Sequence, residues 1–77
     1  MHFNNDSELY KVIGLNIKRY RENAKLTQMQ LAERSQISIS YISKIEAIGC
    51  DKSLSISVLN QIANALSVDI TEFFREV

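Results

Sequence analysis

Apolar positions recur at three- and four-residue intervals along most of the chain, a spacing that predicts helices. Ile13, Ile17 and Tyr20 form one inward stripe, placing a first helix at about Glu8–Asn23 with Asp6 or Ser7 as N-cap. Leu31 and Ala32 mark a second helix, about Gln28–Arg34, capped by Thr27. The tight connection Ser35-Gln36-Ile37 leads to Ser38, the N-cap of a third helix that ends near Ile48, where Gly49 stands ready to stop it. After the loop Cys50–Leu54, Ser55 caps a fourth helix over Ile56–Leu66, with Val58, Leu59, Ile62, Ala63 and Leu66 on its apolar face. Asp69-Ile70-Thr71-Glu72 resembles a capping box with Asp in the cap position, opening a fifth helix that carries Phe73 and Phe74.

Composition supports this reading. The chain has no proline and only two glycines, Gly14 and Gly49, too little turn punctuation for an all-β fold. The expectation is all-α: a compact five-helix bundle in one domain spanning residues 1–77, with 1–7 as a flexible tail. Apolar residues at 45% and charged residues at 23% exclude a disordered chain. No apolar run is long enough to cross a bilayer, and Met1–Ser7 lacks the pattern of a secretory leader. Cys50 is the only cysteine and is read as a loop residue in a protein of the reducing cytoplasm. His2 is the only histidine. With no clustered metal ligands, nucleophile–base pair or glycine-rich phosphate loop, the sequence offers no catalytic site, metal, cofactor or small-molecule ligand.

Net charge is zero, but its distribution is uneven. Residues 11–45 hold seven basic side chains (Lys11, Lys18, Arg19, Arg21, Lys25, Arg34, Lys44) against Glu22 and Glu33. The segments on either side are acidic on balance. Positive charge gathered in one half of a chain is what a phosphate-facing surface requires.

The informative stretch is Leu26–Glu46, LTQMQLAERSQISISYISKIE. It reads as two short helices whose turn is too short to do anything but set them at a steep angle. Close approach needs a small contact residue, supplied by Ala32, and Ile37 plugs the turn. Ile42 and Ile45, about 100° apart per residue step around the axis, hold the second helix from behind. Ser40, Ser43, Lys44 and Ala47 then face outward, with Ile39 and Tyr41 on the flanks. This slim, polar, singly basic face fits a groove about 12 Å wide.

The segments IGLNIKRYRE, LTQMQLAERS, ISISYISKIE and LNQIANALSVDITEFF resemble the Cro and phage-repressor type of helix-turn-helix family, also called the xenobiotic-response-element type. The run from Ile13 to Leu66 carries the resemblance, which covers most of the chain. It implies a lambda-repressor-like DNA-binding domain, with the helix-turn-helix at 27–48 and dimerisation through 67–77. Residue by residue, it implies base contacts from Ile39, Ser40 and Lys44. It implies phosphate contacts from Thr27, Gln28, Tyr41 and Ser43, to which the basic residues Lys18, Arg19 and Lys52 are added as candidates. It further implies a structural ion pair between Arg21 and Glu46. Ile70, Phe73 and Phe74 are the candidates for the dimer interface, with one of the two phenylalanines expected in the core. The implied partners are double-stranded DNA and a second copy of the chain, and no membrane.

Three departures from the family pattern matter. Gln36 stands where the turn usually has glycine, so a non-glycine residue must adopt the left-handed region at about 1 kcal/mol or more. The loop after the third helix reads AIGCDKS, leaving Lys52 as its only cation. No reading-face residue offers a bidentate fork, so specificity per half-site should be modest, with spacing and DNA deformability contributing the rest. Size resembles short stand-alone regulators such as phage repressors and restriction-modification controller proteins. The sequence-based function is therefore a transcriptional regulator that binds an inverted repeat as a homodimer. The alternative is a protein-interaction module on a helix-turn-helix scaffold that no longer binds DNA.

Overall fold

The computed structural model describes residues 2–47 and 54–76. Within them lie four α-helices, α1 (Asp6–Asn23), α2 (Gln28–Ser35), α3 (Ile39–Glu46) and α4 (Ile56–Leu66), followed by a 3₁₀ turn at Ile70–Phe74. The expected fifth helix is thus a single tight turn. The Asp69 carboxylate accepts from the backbone N–H and the hydroxyl of Thr71, which holds its pKa below the usual carboxylate value. Glu72 does not close a capping box; its carboxylate is engaged by Tyr20 and Arg75 instead.

Four caps are supplied by short polar side chains, as hydrogen-bonding economy at a helix start demands. Thr27, Ser38 and Ser55 each accept from the N–H three residues ahead. The cap of α1 is Asn5, not Ser7 or Asp6, because its Oδ1 accepts from Glu8 N at 2.9 Å. This brings Asp6 and Ser7, expected in the tail, into the helix. At its other end α3 stops at Glu46, short of Ile48, where Ala47 turns to an extended conformation. Ile48, Gly49, Cys50 and Lys52 lie outside the described residues.

Among the described residues, three that are not glycine take left-handed backbone: Lys25, Gln36 and Ser67. Gln36 links α2 to α3, in keeping with the missing glycine. Lys25 and Ser67 end α1 and α4, where the next residue's N–H reaches back to Arg21 O and Ala63 O, respectively. Local hydrogen bonds therefore close the turns after α1 and α4.

The core gathers one side of every element. Ile13 and Ile17 of α1, Leu31 and Ala32 of α2, Ile42 and Ile45 of α3, Leu59, Ile62 and Ala63 of α4, and Phe73 form one continuous cluster. α1 packs against both α3 and the 3₁₀ turn, and α2 sits between α3 and α4. Gly14 permits the α1–α3 contact: a Cβ there would be driven into the carbonyl oxygen of Ile45. None of the helices among the described residues is long and apolar enough to cross a membrane.

Candidate nucleic-acid interface

The outer face of α3 follows from what its inner face buries. Ile42 and Ile45 are sealed in the core, which leaves Ser40, Ser43 and Lys44 exposed on the opposite side. Ile39, at the first position of α3, is 41% exposed. Gln28, Ile39, Ser40, Ser43 and Lys44 line one shallow depression. Lys18, Arg21, Gln28, Ser43, Glu46 and Ala47 line a second. Gln28 and Ser43 belong to both, so a single open surface runs from the N-terminus of α3 to Lys18 of α1. Neither Lys18 nor Lys44 takes part in an ion pair among the described residues.

Behind this surface lies a buried polar clamp. Arg21 Nε donates to Glu46 Oε2 at 2.7 Å and its Nη2 donates to Glu46 Oε1 at 2.9 Å. The third nitrogen, Nη1, donates to Leu26 O at 2.7 Å, tying the α1–α2 connection into the same cluster. The side chains are 10% and 3% exposed, so this is an interior fork-to-fork pair rather than a surface contact. The bond to Glu46 is the largest influence raising the Arg21 pKa, so the guanidinium is charged at any ordinary pH.

Gln28 completes the clamp. Its Nε2 donates to Glu46 Oε1 at 3.1 Å, so one carboxylate steadies both α1 and the start of α2 against α3. A primary amide has two N–H bonds; the second is free to meet a phosphate. Thr27, exposed beside it, forms a reciprocal capping box with Gln30, Oγ1 accepting at 3.1 Å and the Thr27 N–H donating at 2.9 Å. Its hydroxyl proton remains available to an outside acceptor.

Other predicted site residues fall elsewhere. The Arg19 guanidinium stands 5.3 Å from the centre of the Tyr20 ring, on the side of α1 that carries the Tyr20–Glu72 bond to the 3₁₀ turn, away from the Lys18 surface. Tyr41 is half-buried, its ring packed against the core. Ile70 and Phe74 are half-buried at the periphery of the core. Phe73 requires a correction: it is 0% exposed and is a central core residue, not an interface candidate.

Three features escaped the sequence reading. Asn16 is fully buried and its Nδ2 donates to Phe73 O at 2.9 Å and Arg75 O at 2.7 Å, fastening the C-terminal segment to α1. Tyr20 O–H donates to Glu72 Oε1 at 2.7 Å, and this bond, followed by partial desolvation, raises the tyrosine pKa. Gly14 is the third. The available signal was a polar residue, Asn16, set within the apolar arc of Ile13, Ile17 and Tyr20.

Comparison with known proteins matches residues 17–73 to the helix-turn-helix family. The chain belongs to that family. It is 39% identical over 64 residues to the immunity repressor protein of Bacillus phage phi105, covering 83% of this chain and 43% of that one. It is 38% identical over 63 residues to the HTH-type transcriptional regulator SlrR of Bacillus subtilis (strain 168), covering 82% and 41%. The chain thus spans less than half the length of either relative. Among solved structures, the restriction-modification controller protein C.AhdI from Aeromonas hydrophila superposes with a TM-score of 0.77 at 25% identity, covering 84% of this chain and 96% of that one. The clp gene regulator ClgR from C. glutamicum gives 0.74 at 26% identity, covering 84% and 82%. The hypothetical transcription factor NHTF from Neisseria gives 0.81 at 21% identity, covering 97% and 84%, a likeness of fold alone. This helix-turn-helix is a DNA-binding domain of the transcriptional-regulator type, and its family and relatives are regulatory proteins rather than enzymes.

Proposed function

We propose that this chain is a cytoplasmic transcriptional regulator that binds an inverted-repeat operator as a homodimer, with α3 of each copy in the major groove. The carrying observation is the division of α3 into a buried isoleucine edge and an exposed serine–lysine face held in place by the Arg21–Glu46–Gln28 clamp. On this reading Lys44 donates to guanine O6 or N7 and Ser40 to a neighbouring base edge. Ile39 meets an apolar base edge. Gln28, Thr27, Ser43, Tyr41 and Lys18 hold phosphates and set the register.

The second copy would dock through Ile70 and Phe74, the half-buried apolar residues of the 3₁₀ turn, and would place the two α3 helices about 34 Å apart, one turn of the duplex. Repression is the role that the phage relative, an immunity repressor protein, favours.

Selection of bound sequences from random duplexes tests this directly. A two-fold symmetric motif with fixed half-site spacing is expected, with affinity that falls steeply as salt rises. Lys44→Ala should cost about 1–3 kcal/mol and relax one base position. Absence of any salt-sensitive binding would leave the scaffold as a protein-interaction module and overturn the proposal.

A further inference from the structure

The one large apolar side chain that α3 exposes, Ile39, has a narrower implication than DNA binding in general. Ile39 is exposed although Ile42 and Ile45, the other isoleucines of α3, are buried. Counting about 100° per residue, Ile39 lies roughly 90° from the core-facing direction of that pair, on the same flank as Gln28 and Ser43. It forms the apolar wall of the depression whose other walls are Gln28, Ser40, Ser43 and Lys44.

The hydrogen-bonding groups beside it discriminate poorly between pyrimidines. A serine hydroxyl both donates and accepts, so it serves thymine O4 and the cytosine amino group alike. Lys44 only donates, and it stands on the outward face five residues along the helix, about 7.5 Å or two base steps away. What separates thymine from cytosine for an isoleucine is the C5-methyl group alone.

We infer that Ile39 makes this chain a sensor of C5-methylated pyrimidines, so that 5-methylcytosine takes the place of thymine at one position of each half-site. The inference rests on the DNA-binding reading above and goes beyond it: methylation of cytosine at C5 strengthens binding at sequences that carry cytosine in place of that thymine. Burial of one methyl group against Ile39 is worth about fourfold in affinity per half-site.

The test uses the duplex enriched from random DNA by the intact protein. Each thymine is replaced in turn by deoxyuridine, which lacks only the methyl. In a second series the responsive thymine is replaced by cytosine or by 5-methylcytosine, each with its proper partner base. The expected result is an approximately fourfold loss with deoxyuridine at one thymine per half-site, and an approximately fourfold gain of 5-methylcytosine over cytosine there. Both effects should vanish in Ile39→Ala, a substitution of an exposed residue that leaves the core intact. Indifference to deoxyuridine at every position, or an undiminished methyl effect in Ile39→Ala, would overturn the inference while leaving DNA binding established. Failure to enrich any duplex would instead count against the DNA-binding proposal itself.

Discussion

Glu46→Ala offers the most discriminating test of how the reading helix is held. The substitution strips the Arg21 guanidinium of two of its three hydrogen bonds, leaving only the one to Leu26 O, and removes the Gln28 bond as well. It strands a cation whose side chain is 10% exposed. Removing one partner of a buried pair costs about 3–5 kcal/mol, because the survivor is desolvated without compensation. A chain of this size has roughly 4–11 kcal/mol of total stability, so the variant should lose a quarter or more of it. In a domain this small that is a fall of about 12 °C or more in Tm. Urea unfolding followed by far-UV circular dichroism measures the loss. The double variant Arg21→Met/Glu46→Leu fills the same space without charge and should recover to within about 1 kcal/mol of the parent. Protonation does not complicate the comparison from the arginine side. A folded pKa raised above an already high value gives stability that is complete below the unfolded value and is lost only as pH climbs through the folded one. A loss under about 1 kcal/mol for Glu46→Ala would show that the pair behaves as an ordinary surface contact.

Other substitutions, and one titration, have definite expected outcomes. Gly14→Ala, which helix propensity alone would favour by about 1 kcal/mol, should instead destabilise by about 1–3 kcal/mol, because the new methyl meets the backbone at Ile45; a gain in Tm would refute this packing. Gln36→Gly relieves the left-handed turn and should raise stability by up to about 1 kcal/mol in chemical denaturation, net of glycine's greater freedom when unfolded. Phe73→Ala should cost about 3–5 kcal/mol through core loss, whereas Phe74→Glu should leave a folded monomer in sedimentation and bind operator more weakly; dimers in the latter would remove the 3₁₀ turn from the interface. Tyr20 should titrate by ultraviolet absorbance above its ordinary value of about 10, chiefly through its bond to Glu72. A raised tyrosine pKa means that this contact stabilises below the unfolded value and is lost as pH rises through the folded one, and Glu72→Gln should bring the titration back down.

What could be read from the sequence was what local chemistry dictates. Thr27, Ser38 and Ser55 cap because a short side-chain oxygen just ahead of an apolar repeat can reach the third N–H, and each does so. The left-handed Gln36 followed from the family resemblance, which puts glycine at that position. The boundaries that slipped were those where two caps competed: Asn5 outreached Ser7 and Asp6 at the start of α1, and Ala47 ended α3 before Gly49 could. The partners of Asn16 and Glu72 were invisible for a different reason. Asn16 Nδ2 and the Glu72 carboxylate each meet a partner more than fifty residues away in sequence, Phe73 O and Tyr20 O–H, and no periodicity encodes a partner at that distance. The division of labour between Phe73 and Phe74 was equally open, since a five-residue 3₁₀ turn buries one neighbour and shelters the other according to its docking angle rather than its sequence.

That docking angle is governed by α1, whose residues sort by direction. Taking about 100° per residue, Gly14 and Arg21 point within roughly 20° of each other, and both meet α3, at Ile45 and Glu46. Asn16 and Tyr20 point within roughly 40° of each other, and both meet the C-terminal segment, at Phe73, Arg75 and Glu72. Ile13 and Ile17 fill the arc between, in the core. One rigid helix therefore relates the reading surface to the candidate dimer surface through direct polar contacts on each side. Two copies docked through their 3₁₀ turns would inherit a fixed separation of their α3 helices, with little slack for the duplex to adjust. For a reading face with one lysine and no bidentate side chain, such inherited spacing is a source of selectivity that base contacts alone cannot supply.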